Sequence, residues 1–234
     1  KKPQLPFDDD DDHDGEAVPV KLKDPREVES SSLQTPHDVD VTYSGHKGKG
    51  YEAQIAETCV ASNPVELITH VAVTPSSGCD LYATVPTVEE LAKAGQKPEE
   101  LAADTGYSGA RNAAQASRHG VNLLAPAPAK GKPEAGKSYP APEARCPETQ
   151  AAAGEWLRRQ EAQTEFQERY AIRAGIEATN SELKRGHGFG KLRVRGGKRV
   201  KLAVYLKATA CNLKRALNCW LESGLAVEGA ISLA

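Results

Sequence analysis

Two runs rich in Val, Ile and Thr, YEAQIAETCV (51–60) and ELITHVAVT (66–74), constrain the fold more than any other feature of this chain. β-Branched residues in runs of this length favour strands, and the Asn63-Pro64 step between them favours a turn, so the pair predicts a hairpin. The period then changes. TVEELAKAG (87–95) has helical spacing, with Thr87 as its expected cap and Gly95 as its stop. PEELAADTGY (98–107) reads as a short apolar strand ending at Asp104. SGARNAAQASRHG (108–120) is an Ala-rich helix capped by Ser108, and VNLLAPA (121–127) is another strand. A hairpin followed by alternating helix and strand implies a mixed α/β sheet, spanning 50–125.

The flanking segments are different in kind. Residues 1–49 are polar and broken by Pro, Gly and Ser, with one short apolar patch at Val18–Leu22, and read as mostly irregular. Residues 126–154 are dense in Pro, Gly, Ala and Lys, as expected of an insertion or linker. Helical spacing returns at about 155–186, ended by Gly186 and Gly188, and again at about 198–222, leaving 223–234 as a tail. In the last helix Leu202, Leu206, Leu213, Leu217 and Trp220 fall on one stripe, which is expected to be the buried face.

Charge separates the two ends. The net charge is −2, but DDDDDHDGE (8–16) is nearly all acid, while Lys184 to Arg215 holds eleven Lys or Arg and no Asp or Glu. A basic end on a neutral chain suits contact with nucleic acid. The five cysteines are scattered without a C-x-x-C pair, which argues against a zinc site or a disulfide framework and for a reducing cytoplasm. No apolar window is long enough to span a membrane, and no signal peptide opens the chain. The absence of methionine leads us to expect a fragment of a longer reading frame.

Two sets of residues could carry chemistry. Asp104 sits at the C-terminal end of an apolar strand, where α/β sheets place their sites; its plainer role is an N-cap or Asx turn. Tyr170, Arg173, Glu177 and Lys184 follow the spacing Y-x2-R-x3-E-x6-K and point within roughly 60° of one another on a helix. Ile172, Ile176 and Leu183 form a separate apolar stripe. The plainer reading of the polar face is a solvated surface with an ordinary i, i+4 pair of Arg173 and Glu177. Taken together, a strand-end Asp and a helix-borne Glu beside a basic segment suit divalent-metal phosphoryl chemistry, which needs hard oxygen ligands. No Ser-His-Asp set, phosphate loop or dinucleotide fingerprint is present. His46 between Lys47 and Gly45, Asp80 and His187 read as parts of turns.

At these residues the chain resembles the DDE transposases of bacterial insertion sequences. Y-x2-R-x3-E-x6-K is the signature around their last acidic residue, and DTGYSG (104–109) resembles the block around their second Asp. SLQTPHDVDVTYSGHKGKGYEAQIAET (32–58) and LRVRGGKRVKLAVYLKATACNLKRAL (192–217) resemble two further segments, so the likeness runs in order over about 17–220. The resemblance implies a ribonuclease H-like (retroviral-integrase-like) fold, a mixed sheet flanked by helices. It makes Asp104 and Glu177 catalytic ligands of Mg²⁺ or Mn²⁺. Tyr170, Arg173, Lys184, Arg185, Lys191, Arg193 and Arg195 become the DNA-binding set, because phosphate neutralisation dominates affinity. The implied partners are transposon-end and target DNA, with a homo-oligomer or an intact transposase as protein partner.

The family's first catalytic Asp ends a strand upstream of the segment matched at 32–58, and no such strand is evident here. Asp24 follows only the weak patch, and Asp38 and Asp40 fall in the loop-like PHDVD block. The expected fold therefore lacks its first strand, as in a truncated or decayed copy. The primary expectation is metal-dependent cleavage and strand transfer at insertion-sequence ends. The alternative is a non-catalytic DNA- or transposase-binding fragment acting as an inhibitor, which would not need the first Asp. A ribonuclease H-like nuclease would share the metal ligands but has no use for the Tyr170–Lys184 pattern.

Overall fold

The computed structural model describes residues 23–24, 27–60 and 62–223; the acidic run 8–16 and the patch Val18–Leu22 lie outside them. The hairpin forms as its composition predicts. β1 (Thr42–Ser44), β2 (Gly48–Glu57) and β3 (Ile68–Pro75) make an antiparallel sheet in the order β1-β2-β3. β2 and β3 pair from Tyr51 with Pro75 to Glu57 with Ile68, with a shift in register between Ala56 and Glu57. β1 meets only Gly48 to Gly50, so β3 is the partner of the rest of β2 among the described residues.

The alternating part gives α1 (Thr84–Lys93), β4 (Glu100–Ala102), α2 (Ala110–Arg118) and β5 (Asn122–Leu124). β4 and β5 are parallel, as a strand–helix–strand crossover requires, and form a second, separate sheet. α1 begins a turn earlier than its expected cap. Its N-cap is Ala83, and Thr87 is buried inside the helix; Gly95, at φ +71°, ends it as expected. Ser108 does not cap α2 either. Its hydroxyl donates to the Pro126 carbonyl at 2.6 Å, and Gly109 takes the cap position.

The long helix expected at 155–186 is broken. α3 (Gln150–Glu161) and α4 (Phe166–Ala171) are followed by a 3-10 turn at Ile172–Ala174, and then by α5 (Gly175–Gly186). The stretch before α3 is tied down rather than free. Cys146 is buried, its N–H donates to the Asn122 side chain at 3.0 Å, and Arg145 reaches the Ser117 carbonyl at 2.9 Å.

α6 (Gly197–Glu222) closes the chain and packs on β3. It does so on a different face from the one predicted. Val200, Val204, Ala208 and Cys211 are buried, whereas Leu202, Leu206 and Leu213 are 59%, 63% and 69% exposed. α6 carries two apolar stripes, and a helix lying close on a sheet accommodates the small and β-branched one. Leu217 and Trp220 also fall outside the core.

The apolar residues therefore bury in two main clusters. One joins Ile68, Val71, Leu183, Val200, Val204, Ala208 and Cys211 from β3, α5 and α6. The other joins Ala113, Ala114, Leu123, Ala153, Trp156 and Leu157 from α2, β5 and α3. α1 packs against both β3 and α2 and so bridges the two halves.

The PHDVD block is the clamp on α6. Asp38 is buried and accepts from the Tyr51 hydroxyl at 2.7 Å and the Gly196 N–H at 2.8 Å, while Asp40 accepts from the Gly197 N–H at 2.8 Å. Two carboxylates thus meet the unsatisfied amides at a helix N-terminus. Burial alone would raise the Asp38 pKa, but the bonds from Gly196, Tyr51 and the Asp40 amide, with the Arg195 charge, outweigh it and hold the pKa below the ordinary value. A depressed carboxylate stabilises above its unfolded pKa and loses that contribution as pH falls through the folded one. We predict that Asp38→Asn lowers thermal stability at pH 7 by about 1.5–3 kcal/mol, the range for a bond to a charged group. The gap to the parent should narrow below about pH 4 in thermal melts, as the parent's own carboxylate protonates; a gap independent of pH would sink this assignment.

Candidate functional site

A cavity of about 400 Å³ opens between the two sheets. Residues 53–59 of β2 and its exit line one side, and residues 100–104 of β4 and its exit line the other. Thr84, Thr87 and Leu91 of α1 contribute a further wall, and Ile172, Arg173, Ile176, Glu177 and Asn180 contribute another. Asp104, Arg173 and Glu177, which the sequence singles out, therefore share one cavity.

Asp104 lies just beyond β4 and is exposed. One of its carboxylate oxygens accepts the Gly106 N–H at 2.7 Å, so the plain Asx turn is present. The turn is braced from below. Buried Asn112 on α2 donates to the Tyr107 carbonyl at 2.8 Å and to the Leu81 carbonyl at 2.8 Å, and Thr84 donates to Tyr107 at 2.9 Å. An exposed carboxylate on a rigid turn can bind outward.

Sequence reasoning gave Asp80 only a turn, but the fold brings it to Asp104. A Cβ at Gly106 would sit 3.1 Å from Asp104 Oδ1 and 3.4 Å from Asp80 Oδ2, so the glycine backbone lies between the two carboxylates. Asp80 accepts from Lys47 at 2.9 Å, and Lys47 also pairs with Glu52, one of whose carboxylate oxygens is buried without a partner. Burial raises the pKa of Glu52, with Asp80 adding to the shift and Lys47 opposing it. The Tyr107 phenol is pushed up to about 12 by burial and by the charges of Asp80, Glu52 and Asp104. No local pattern marks this cluster, because its members come from the β1–β2 turn, β2, the segment after β3 and the loop after β4.

The polar face of the Tyr170–Lys184 segment is split by the 3-10 turn. Tyr170 lies near the end of α4 and stacks on Phe166 at 5.3 Å between centroids. The Arg173 guanidinium lies 5.4 Å from the Tyr170 ring centroid and pairs with Glu177 at 3.4 Å. The ordinary i, i+4 pair is thus formed, and Glu177 remains exposed beside it. Burial raises the Tyr170 pKa, with Arg173 opposing the shift and the Asp104 charge adding to it. Lys184 and Arg185 occupy the last turn of α5. Lys191, Arg193 and Arg195 lie in the segment leading to α6, and all five cations are exposed. No carboxylate among the described residues forms an ion pair with any of these five. Lys207, Lys214 and Arg215 are spent inside the fold instead, on the His187 carbonyl, Glu182, and both Glu57 and Glu182.

Two carboxylates lining one cavity are the right hard donors for Mg²⁺ or Mn²⁺, but among the described residues no third ligand joins the two closely. The one group of three candidate ligands within 4.8 Å among the described residues is Glu182, His187 and Cys211, on the seam of α5 and α6. Glu182 there is already paired with Lys214 and Arg215. The fit of a divalent ion at Asp104 and Glu177 is therefore partial.

What fixes α5, and hence Glu177, against the sheet is Arg215 of α6. Its guanidinium donates to Glu57 at 3.3 Å, the Glu66 carbonyl at 3.0 Å, Thr179 at 2.6 Å and Glu182 at 3.0 Å. Thr179 in turn donates to Glu57. Desolvation would lower the Arg215 pKa, but Glu182 and Glu57 raise it overall.

Residues 21–213 match a family model described as Transposase DDE domain. No curated protein and no solved structure matches the chain. Among the described residues, no helix is long and apolar enough to cross a membrane.

Removing the Arg215 guanidinium leaves Glu57, only 7% exposed, without a cationic partner, whereas Glu182 keeps Lys214. Arg215→Met should cost about 3–5 kcal/mol in urea unfolding, the range for breaking a buried pair. Arg215→Lys should recover only part of it, since an ammonium cannot reach four acceptors at once. Equal stability of all three proteins would show that the network is not structural.

Proposed function

The chain belongs to the transposase DDE domain family, and from that premise we propose that its cavity is the catalytic centre for metal-dependent cleavage and strand transfer at insertion-sequence ends. The observation that carries this reading is the convergence of Asp104, at the exit of β4, and Glu177, on α5, on one cavity. A ribonuclease H-like sheet would use its residues in that way, with one acid after a central strand and another on a later helix. Asp104 and Glu177 would hold Mg²⁺ or Mn²⁺; when bound, such an ion supplies Lewis acidity at the scissile phosphate. The chain's own part is positioning. The Asp104 turn is rigid because Asn112 and Thr84 brace it, and Arg173, beside the cavity, can exchange its bond to Glu177 for one to a phosphate oxygen. Lys184, Arg185, Lys191, Arg193 and Arg195 would follow the DNA backbone, which needs no base reading.

A second reading has one observation in its favour. Only two carboxylates of the expected set reach the cavity wall, and Glu177 is already paired with Arg173. DNA binding without cleavage, alone or beside an intact transposase, needs only the exposed cations. Metal binding separates the two readings. Mn²⁺ titrated by calorimetry should bind saturably, and Asp104→Ala and Glu177→Ala should each weaken it at least tenfold. No binding by the folded parent would favour the inhibitor reading. Replacing Lys191, Arg193 and Arg195 by Ala should weaken binding to duplex DNA of any sequence. It should also reduce the salt slope by roughly one for each phosphate left without its cation. An unchanged slope would remove these three residues from the interface.

A further inference from the structure

We propose that Glu182, His187 and Cys211 form a structural site for Zn²⁺ on the seam between α5 and α6. None of the three lines the cavity that holds Asp104 and Glu177, and the inference holds whether or not the chain cleaves DNA.

The fold gathers the site from residues that no spacing in the sequence unites. Glu182 sits on α5, His187 is the residue that ends α5, and Cys211 lies in the middle of α6. One ligand atom from each lies within 4.8 Å of those from the other two. A tetrahedral ion with bonds of about 2.0–2.3 Å holds its ligand atoms about 3.3–3.8 Å apart, so small rotations of Glu182 and His187 would close the site. The lack of a C-x-x-C pair argues against a cysteine-rich zinc site. It does not bear on one Glu, one His and one Cys brought together from 182, 187 and 211.

A second observation points to a ligand. The Nε2 atom of His187 is buried with no hydrogen-bond partner. An orphaned polar atom costs about 1–3 kcal/mol, and a metal ion would remove that cost. The ring cannot easily turn away, because the main chain of His187 is held on both sides. Its N–H donates to the Leu183 carbonyl at 3.2 Å, and its own carbonyl accepts from Lys207. Cys211 is fully buried in the cluster that also contains Leu183. Glu182 accepts from Lys214 at 2.9 Å and from Arg215 at 3.0 Å, one bond to each oxygen. A carboxylate has about four lone-pair sites, so both bonds survive when a metal binds. The Glu182 side chain is 24% exposed, which leaves an ion a path from solvent.

The donors select the ion. A thiolate, an imidazole and a carboxylate suit Zn²⁺, whereas Mg²⁺ and Mn²⁺ take oxygen ligands. The arriving ion displaces the Cys211 proton to solvent, and thiolate and carboxylate together then balance its charge. Three protein ligands leave the fourth position to water. His187 opens the segment that leads to α6 and carries Lys191, Arg193 and Arg195. An ion shared with Cys211 would tie the start of that segment to the middle of α6 and fix where its cations begin.

The test uses the full chain, stripped of metal by a chelator and titrated with Co²⁺, which takes the same ligands and reports a thiolate by a charge-transfer band. We expect the band to saturate at one equivalent, to be displaced by Zn²⁺ and to be untouched by excess Mg²⁺. Cys211→Ala should abolish it, while Cys79→Ser, at an exposed cysteine, should leave it intact. His187→Gln should weaken Zn²⁺ binding at least tenfold and remove the rise in melting temperature that Zn²⁺ gives the parent. Asp104→Ala and Glu177→Ala should bind Zn²⁺ as the parent does. No band in the folded parent would overturn the proposal, as would a band that persists in Cys211→Ala or disappears in Cys79→Ser. Loss of Zn²⁺ binding in the Asp104 or Glu177 variant would put the ion in the cavity and overturn it too. Should Cys211→Ala fail to fold, His187→Gln decides, and an unchanged affinity there sinks the site.

Discussion

The rest of the structure hangs on one guanidinium. Arg215 joins the end of β2 through Glu57, the approach to β3 through the Glu66 carbonyl, and α5 through Thr179 and Glu182. Without it, α5 would keep on the sheet the Thr179–Glu57 bond and the packing of Leu183, because Ile176 lines the cavity instead. The charges explain why the residue is arginine. Two carboxylates and two neutral acceptors surround it, and a planar fork with five donors can serve several of them together. α5 is the helix that carries Glu177, so the position of a catalytic candidate is set by a residue nearly forty places along the chain that does not itself line the cavity.

Elements whose signal is local were legible in the sequence. The β2–β3 hairpin follows from its β-branched runs, α1 from its period and Gly95, and β4, α2 and β5 from the alternation that follows. Caps were less legible, because tertiary contacts claimed the polar side chains first. Ser108 spends its hydroxyl on Pro126, and Thr87 is buried by its neighbours. The break between α3 and α5 was missed because periodicity runs through it. α6 shows the limit of pattern reading most clearly. Its leucine stripe is the more hydrophobic, yet the sheet accepts Val200, Val204, Ala208 and Cys211, whose small side chains let the helix lie close.

The site divides in the same way. Asp104 was visible because it ends a strand, and Glu177 because it lies in a spaced pattern; both reach the cavity. Asp80, Glu52 and Lys47 were not visible as a group, since only the fold brings them to Asp104. The Asp38 and Asp40 block was read as loop, and its function is to hold the N-terminus of α6. No periodicity announces that kind of residue; its signal is the pairing of two acids with a distant Gly196-Gly197 step.

Both carboxylates meet at the cleft from opposite sides. Asp104 belongs to the half built on α2, β5 and α3, and Glu177 to the half built on β3, α5 and α6. Each is held firmly within its own half, one by Asn112 and Thr84, the other through Arg215. Among the described residues the halves are joined by α1, by the Arg169–Glu100 pair and by the packing of α3 on α4. A divalent ion needs its oxygen ligands at about 2.0–2.6 Å, a tolerance that depends on how the two halves are held across the cleft as well as on how each is held within itself. Rigidity within each half is therefore necessary for metal chemistry in this chain but not sufficient.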